Sequence, residues 1–209
     1  MRTIYAPARS EIEIKRSRFI ASCARTNSEE AAREFISQIR REFPDARHHC
    51  TAFIIHQDSG PDTARSSDDG EPAGTAGNPM LKVLTESGLT NVTCIVTRYF
   101  GGTKLGTGGL VRAYSGAVQA VLEDAQTVRL VTQPSYQLQL PISEAGKIEA
   151  KLTQNGYQIL ARDFAGEATL RFSAPLETTQ SQIESYLSSI SGREINIEIA
   201  PDITREVRE

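Results

Sequence analysis

Apolar and polar residues alternate along Glu11–Ala24 (EIEIKRSRFIASCA), which predicts a strand or a hairpin. From Ala31 the period lengthens. Ala31, Phe35, Ile39 and Phe43 recur every fourth residue with Ala32 and Ile36 beside them, the stripe of an amphipathic helix. Thr26, Asn27 and Ser28 offer N-caps, Asn27 and Glu30 stand at capping-box spacing, and Pro44 ends the helix. Two short, nearly continuous apolar runs, CTAFIIH (Cys50–His56) and NVTCIVTRYF (Asn91–Phe100), predict buried strands. Between them, Gln57–Asn78 reads as a long irregular loop, and Pro79–Ser87 as a short helix with Pro at its first position and Gly88 at its end. After the second run, a helix from Gly109 to about Asp124 turns Leu110, Tyr114, Ala117, Val118 and Val121 to one side.

Past VRLVTQP the pattern restarts. SYQLQLP alternates as a strand, and SEAGKIEAKLTQNG reads as a helix capped by Ser143 and closed by Gly156. YQILARD and EATLRFS form a hairpin. A helix with Ile183, Leu187 and Ile190 on one face follows, and REINIEIA ends the series with Ile195, Ile197 and Ile199 on one side. The order βαββαβ is the split, ferredoxin-like unit. The chain therefore reads as α+β, with a first domain over 1–132 and a second over 133–209.

Composition narrows the class. Of 209 residues, 39% are hydrophobic and 23% charged, a globular balance, and no apolar run reaches the roughly 20 residues of a membrane span. The charged N-terminus lacks the apolar core of a secretory signal, and Cys23, Cys50 and Cys94 are too few and too scattered for a disulfide framework. A cytoplasmic protein is expected. The net charge of -3 divides into 16 Lys/Arg against 15 Asp/Glu in 1–132, and 7 against 11 in 133–209. Neither part is basic enough for a general DNA-binding protein, and 6% aromatics leave little material for stacking bases.

Three segments carry candidate chemistry. In GGTKLGTGGLVRAYS, Gly101, Gly102, Gly106, Gly108 and Gly109 open a helix whose N-terminus presents unpaired N–H groups, while Lys104, Arg112 and the preceding Arg98 add charge. This suits an anion or phosphate, although the spacing is neither a P-loop nor GxGxxG. Tight packing of glycines is the competing reading. In SSDDGEPAGTAGNP, Asp68, Asp69 and Glu71 offer oxygens for Mg²⁺ or a general base, but a solvated turn or a loop pairing with Arg98, Lys104 or Arg112 explains them more simply. In DARHHC, extended geometry puts His48 and Cys50 on one side and His49 on the other, too few ligands for a metal site. His48, Asp69 and Glu71 are the candidate catalytic groups, Cys50 is expected to be a buried thiol, and no metal site is assigned.

Taken together, DARHHC, DDGEPAGTAGNPML and VTRYFGGTKLGTGGLVRAYS resemble the Impact (YigZ-type) family in its bacterial two-domain form. The resemblance implies a first domain of the ribosomal-protein (second-domain) type, a two-layer α/β sandwich with two helices on one face of a sheet, and a second domain similar to those of elongation factor G. It also implies translation regulation, since eukaryotic relatives compete for the activator of a starvation-response kinase. Expected partners are RNA, the ribosome or a translation-related protein, and not a membrane. The alternative is a phosphate- or nucleotide-binding enzyme, a hydrolase or transferase, that uses the DDGEP and GGTKLGTGG loops on a small phosphate-containing ligand.

Overall fold

The computed structural model describes residues 1–208. In chain order the elements are β1 (Arg2–Ile4), β2 (Ala8–Ile14), β3 (Ser17–Arg25), α1 (Glu29–Glu42), β4 (His48–Ile55), β5 (Thr63–Ser67), α2 (Gly77–Ser87), β6 (Val92–Tyr99), α3 (Thr107–Asp124), β7 (Thr127–Leu140), α4 (Ile142–Gln154), β8 (Gln158–Asp163), β9 (Ala168–Ser173), α5 (Gln180–Ser191) and β10 (Glu198–Arg208). They divide into two compact units, Met1–Leu130 joined by the strand end from Val207, and Val131–Glu206.

The first unit is built on an antiparallel sheet of order β2-β3-β6-β4-β5. Strand alternation turns Phe19, Ala21, Cys23, Cys50, Ala52, Ile54, Cys94 and Val96 to one face, where Met80 and Leu84 of α2 and Leu110, Tyr114 and Val118 of α3 close over them. Phe19 meets the Tyr114 ring edge-on at 5.3 Å. These are the two helices on one face. The opposite face carries α1, whose Ala32 packs with Phe53 and Ile55 of β4. The α1 stripe is wider than the surface it covers, so Ala32 and Ile39 are buried while Phe35, Ile36 and Phe43 stay half-buried.

The second unit pairs β7 with β9, β9 with β8, and β10 with β7, so its first and third strands are neighbours, as a ferredoxin-like βαββαβ unit requires. Ile148 and Leu152 of α4 and Ile183 and Leu187 of α5 pack on Leu138, Leu140, Leu170 and Phe172. A hydrogen-bonded capping box at Thr179 and Gln182 starts α5, and left-handed Gly192 ends it.

Several local expectations are corrected. Gln57–Asn78 is not wholly irregular, because Thr63–Ser67 forms edge strand β5 against β4. Its side chains are mostly exposed, so no apolar alternation marks it. Ser28, not Asn27, caps α1, accepting from the Ala31 N–H. The second helix begins at Gly77, two residues before Pro79. Helix α3 begins at Thr107 rather than Gly109, and α4 follows Pro141 with Ser143 already inside it. Ile195 and Ile197 are buried before β10 begins, while Ile199 is 69% exposed. The backbone N–H groups of Ile195 and Ile197 go to Ser188 Oγ and Glu184 Oε1 of α5, which keeps that stretch out of the ladder. Among the described residues, no helix is long and apolar enough to cross a membrane.

Candidate functional site: a cavity between two loops

β6 delivers Arg98 to the helical face of the first sheet, at the mouth of the glycine-rich loop. The Arg98 side chain is 8% exposed and its Nη1 donates to Glu71 Oε1 at 2.6 Å. The same oxygen accepts the Tyr114 hydroxyl at 2.7 Å. Arg98 also lies 5.4 Å from the Phe19 ring centre and 5.7 Å from that of Phe100, so its charge meets one carboxylate and two aromatic surfaces. Its Nε is buried and has no partner among the described residues.

The acidic loop is held by its own carboxylates. Asp68 accepts from the Ala76 and Gly77 N–H groups at 2.9 and 2.8 Å through Oδ1, and from Gly74 N–H at 2.8 Å through Oδ2. It thereby caps α2, whose own cap residue, Ala76, has no oxygen to offer. Burial pushes the Asp68 pKa up, but the three backbone donors outweigh it and hold the group below the ordinary carboxylate range. Asp69 takes the His49 N–H on Oδ2 and Arg40 Nη2 on Oδ1, both at 2.6 Å. Against the pull of burial, these donors lower its pKa too. Each carboxylate of the loop is thus occupied by protein donors. Among the described residues, no three His, Cys, Asp or Glu side chains gather to hold a metal ion.

Asp69 and Gly70, at φ 42 and 84, turn the loop back over β4. The Asp69 carbonyl then lies 2.9 Å from His48 Nδ1, and Gly70 packs against the imidazole. A carbonyl oxygen only accepts, so Nδ1 carries the proton and Nε2 is left for a ligand. Beside it, the Cys50 thiol donates to the Asp68 carbonyl at 3.0 Å, and burial pushes its pKa up to about 12. Cys50 is therefore no nucleophile at neutral pH. His48 and Cys50 share one side of β4, as extended geometry predicts, and His49 turns away to Thr97.

The two loops meet around a cavity of about 490 Å³. Arg47, His48 and Glu71 line it from the acidic side, and Phe100, Lys104, Leu105 and Gly106 from the glycine-rich side, with Arg98 at its floor. A larger groove of about 1020 Å³ lies against α1 on the other face of the sheet. Its Arg9 and Arg33 are already paired with Glu42 and Glu29, and neither loop reaches it.

The matches to known proteins follow these loops. Residues 15–122, more than half of the chain, match the Impact N-terminal domain. The chain belongs to the Impact family. IMPACT family member YigZ of Escherichia coli is 44% identical over 170 residues, 81% of this chain and 83% of that protein. Protein IMPACT homolog of Saccharomyces cerevisiae is 35% identical over 109 residues, 51% of this chain and 42% of the yeast protein. A crystal structure described as that of a hypothetical protein shares 39% identity at a TM-score of 0.64, covering 96% of this chain and 97% of its own.

Within this Impact domain, His48, Glu71, Arg98, Lys104 and Gly106 come together, whereas Asp69 lies behind the wall and Arg112 is exposed outside the cavity. The glycines divide by role. A Cβ on Gly101 would stand 2.0 Å from the Arg16 carbonyl carbon, so Gly101 serves the approach of the β2–β3 turn. Gly106, at φ 72, forms the N-cap of α3, and Gly102, Gly108 and Gly109 do not line the cavity. Sequence reasoning passed over Arg47 and Phe100. Arg47 stands inside DARHHC and Phe100 directly before Gly101, but neither has a period or spacing that distinguishes it.

Proposed function

We propose that this Impact-family chain is a cytoplasmic, translation-linked binding protein that takes RNA phosphate, free or on the ribosome, at the cavity between its two loops. The observation carrying this reading is that Arg47, Lys104 and the start of α3 all line one cavity, where the carboxylate of Glu71 is already neutralised by Arg98. Cations placed where a helix also presents its positive end select phosphate over neutral partners. Family membership supports the link to translation, which the resemblance implies for eukaryotic relatives. An enzyme of phosphate esters has less support, because the Cys50 thiol is held protonated and Asp68 and Asp69 are committed to backbone and Arg40 donors. Cosedimentation with ribosomes tests the reading. The intact chain is expected to travel with ribosomal particles at low salt, and Arg47→Ala with Lys104→Ala to stay in the supernatant. Equal sedimentation of both proteins would refute it.

A further inference from the structure

The cavity walls differ in chemistry, and each difference restricts the ligand. A volume near 490 Å³ lies within the roughly 300–1,000 Å³ of small-ligand sites and is too small for a duplex. Phe100 is 52% exposed, a flat apolar surface beside Leu105. The 18-residue α3 and Lys104 supply the anion-binding wall. Arg98 sets a second condition: its buried guanidinium is held by Glu71 and cancels that carboxylate, which leaves Lys104 and Arg47 as the charges facing a ligand. His48 sets a third condition. Its Nδ1–H donates to the Asp69 carbonyl, so Nε2 is the nitrogen left to face a ligand, and as an acceptor it asks the ligand for a donor. A phosphodiester or a fully ionised phosphomonoester and an apolar base face supply none there, while a ribose hydroxyl does.

Resting on the RNA reading above, we propose that the cavity holds one 5′-phosphorylated ribonucleoside unit, free or as the end of an RNA strand. The base lies against Phe100, the phosphate sits at the start of α3 beside Lys104, and the 2′-hydroxyl donates to His48 Nε2. The 2′-hydroxyl is the group by which a protein tells RNA from DNA. His48 is thus a specificity residue, and its preference for RNA follows from the backbone carbonyl that fixes its tautomer.

Calorimetry on the intact chain at pH 7.5 tests this with 5′-AMP, 2′-deoxy-5′-AMP, adenosine and inorganic phosphate. 5′-AMP is expected to bind more tightly than adenosine or phosphate, and the 2′-deoxy compound about three- to tenfold more weakly, the weight of one hydrogen bond. His48→Asn keeps an N–H for the Asp69 carbonyl and lacks the Nε2 acceptor, so in that variant the two nucleotides should bind equally. Phe100→Ala should weaken 5′-AMP and leave inorganic phosphate unchanged. Equal affinity of the two nucleotides in the natural chain, or a 2′-deoxy penalty that survives His48→Asn, overturns the proposal. A 5′-phosphorylated RNA that binds better than its 5′-hydroxyl form identifies a strand end; 5′-AMP binding without RNA binding identifies a free nucleotide and refutes the RNA reading alone. RNA binding that depends on Lys104 while 5′-AMP fails to bind refutes this proposal alone.

Discussion

Replacing Glu71 by Gln tests the frame on which the cavity rests. The substitution keeps an oxygen for the Tyr114 hydroxyl, now 2.7 Å away, but removes the charge facing Arg98 at 2.6 Å. Both side chains of the pair are nearly closed to water, 8% and 4% exposed. Formation of such a pair contributes little net stability, because desolvation offsets attraction, yet stranding one member costs about 3–5 kcal/mol. The retained phenol contact and the Phe19 and Phe100 rings near the guanidinium favour the lower end, about 3 kcal/mol. The chain has no tryptophan and two units, so amide hydrogen exchange read separately on each unit is the suitable assay. Protection in β4 and β6 should fall about a hundredfold, at 1.4 kcal/mol per tenfold, and α4 and β9 should be unaffected. Adding Arg98→Gln should recover about 2 kcal/mol relative to the sum of the single changes. A loss under about 1 kcal/mol, or simple additivity, would refute the coupled buried pair.

Other residues give independent checks. Gly101→Ala must push apart backbone that a Cβ would meet at 2.0 Å, so it should lower stability by about 3 kcal/mol or prevent folding, whereas Gly108→Ala, whose nearest neighbour is Arg112 Nη1 at 3.8 Å, should be neutral or slightly stabilising in a thermal melt. Asp68→Asn should cost about 1–2 kcal/mol by weakening the cap of α2. Because the Asp68 pKa is depressed in the folded chain, its contribution is present above about pH 4, the ordinary range, and is lost as acid carries the pH through the folded value. The natural chain should therefore lose more stability than the Asn variant in acid, measured by urea titration at pH 7 and pH 3. Cys50, held protonated by burial, should resist iodoacetamide at pH 8 until urea unfolds the unit, as followed by peptide mass spectrometry.

Much of this architecture was legible in the chain. Continuous apolar runs marked β4 and β6 because both faces of that sheet are covered, and a 3.6-residue stripe marked α3 because one side of it meets the core. Elements held by polar backbone pairing left no such trace. β5 exposes its side chains, and the start of α2 is fixed by Asp68, eight and nine residues before the N–H groups it caps. The glycine-rich segment announced a special backbone but not the division of labour within it. Only folding separates Gly101, pressed against the Arg16–Ser17 turn, from Gly106 on the cavity wall. Pairing of the acidic loop with Arg98, Lys104 or Arg112 was one reading of its charges, and Arg98 with Glu71 is the pair that forms. The partner of Asp69 left no trace in the sequence, because Arg40 lies 29 positions away.

The salt dependence of binding to a single-stranded RNA oligonucleotide decides whether the cavity is a phosphate site. Each phosphate neutralised on a single strand adds about 0.7 to the slope of log affinity against log salt. Arg47→Ala with Lys104→Ala should therefore flatten the slope by about 0.7, the share of the one phosphate in the cavity, and weaken binding at low salt, while Arg112→Ala, outside the cavity, should change the slope much less. An unchanged slope in the double variant would contradict a phosphate site between these loops.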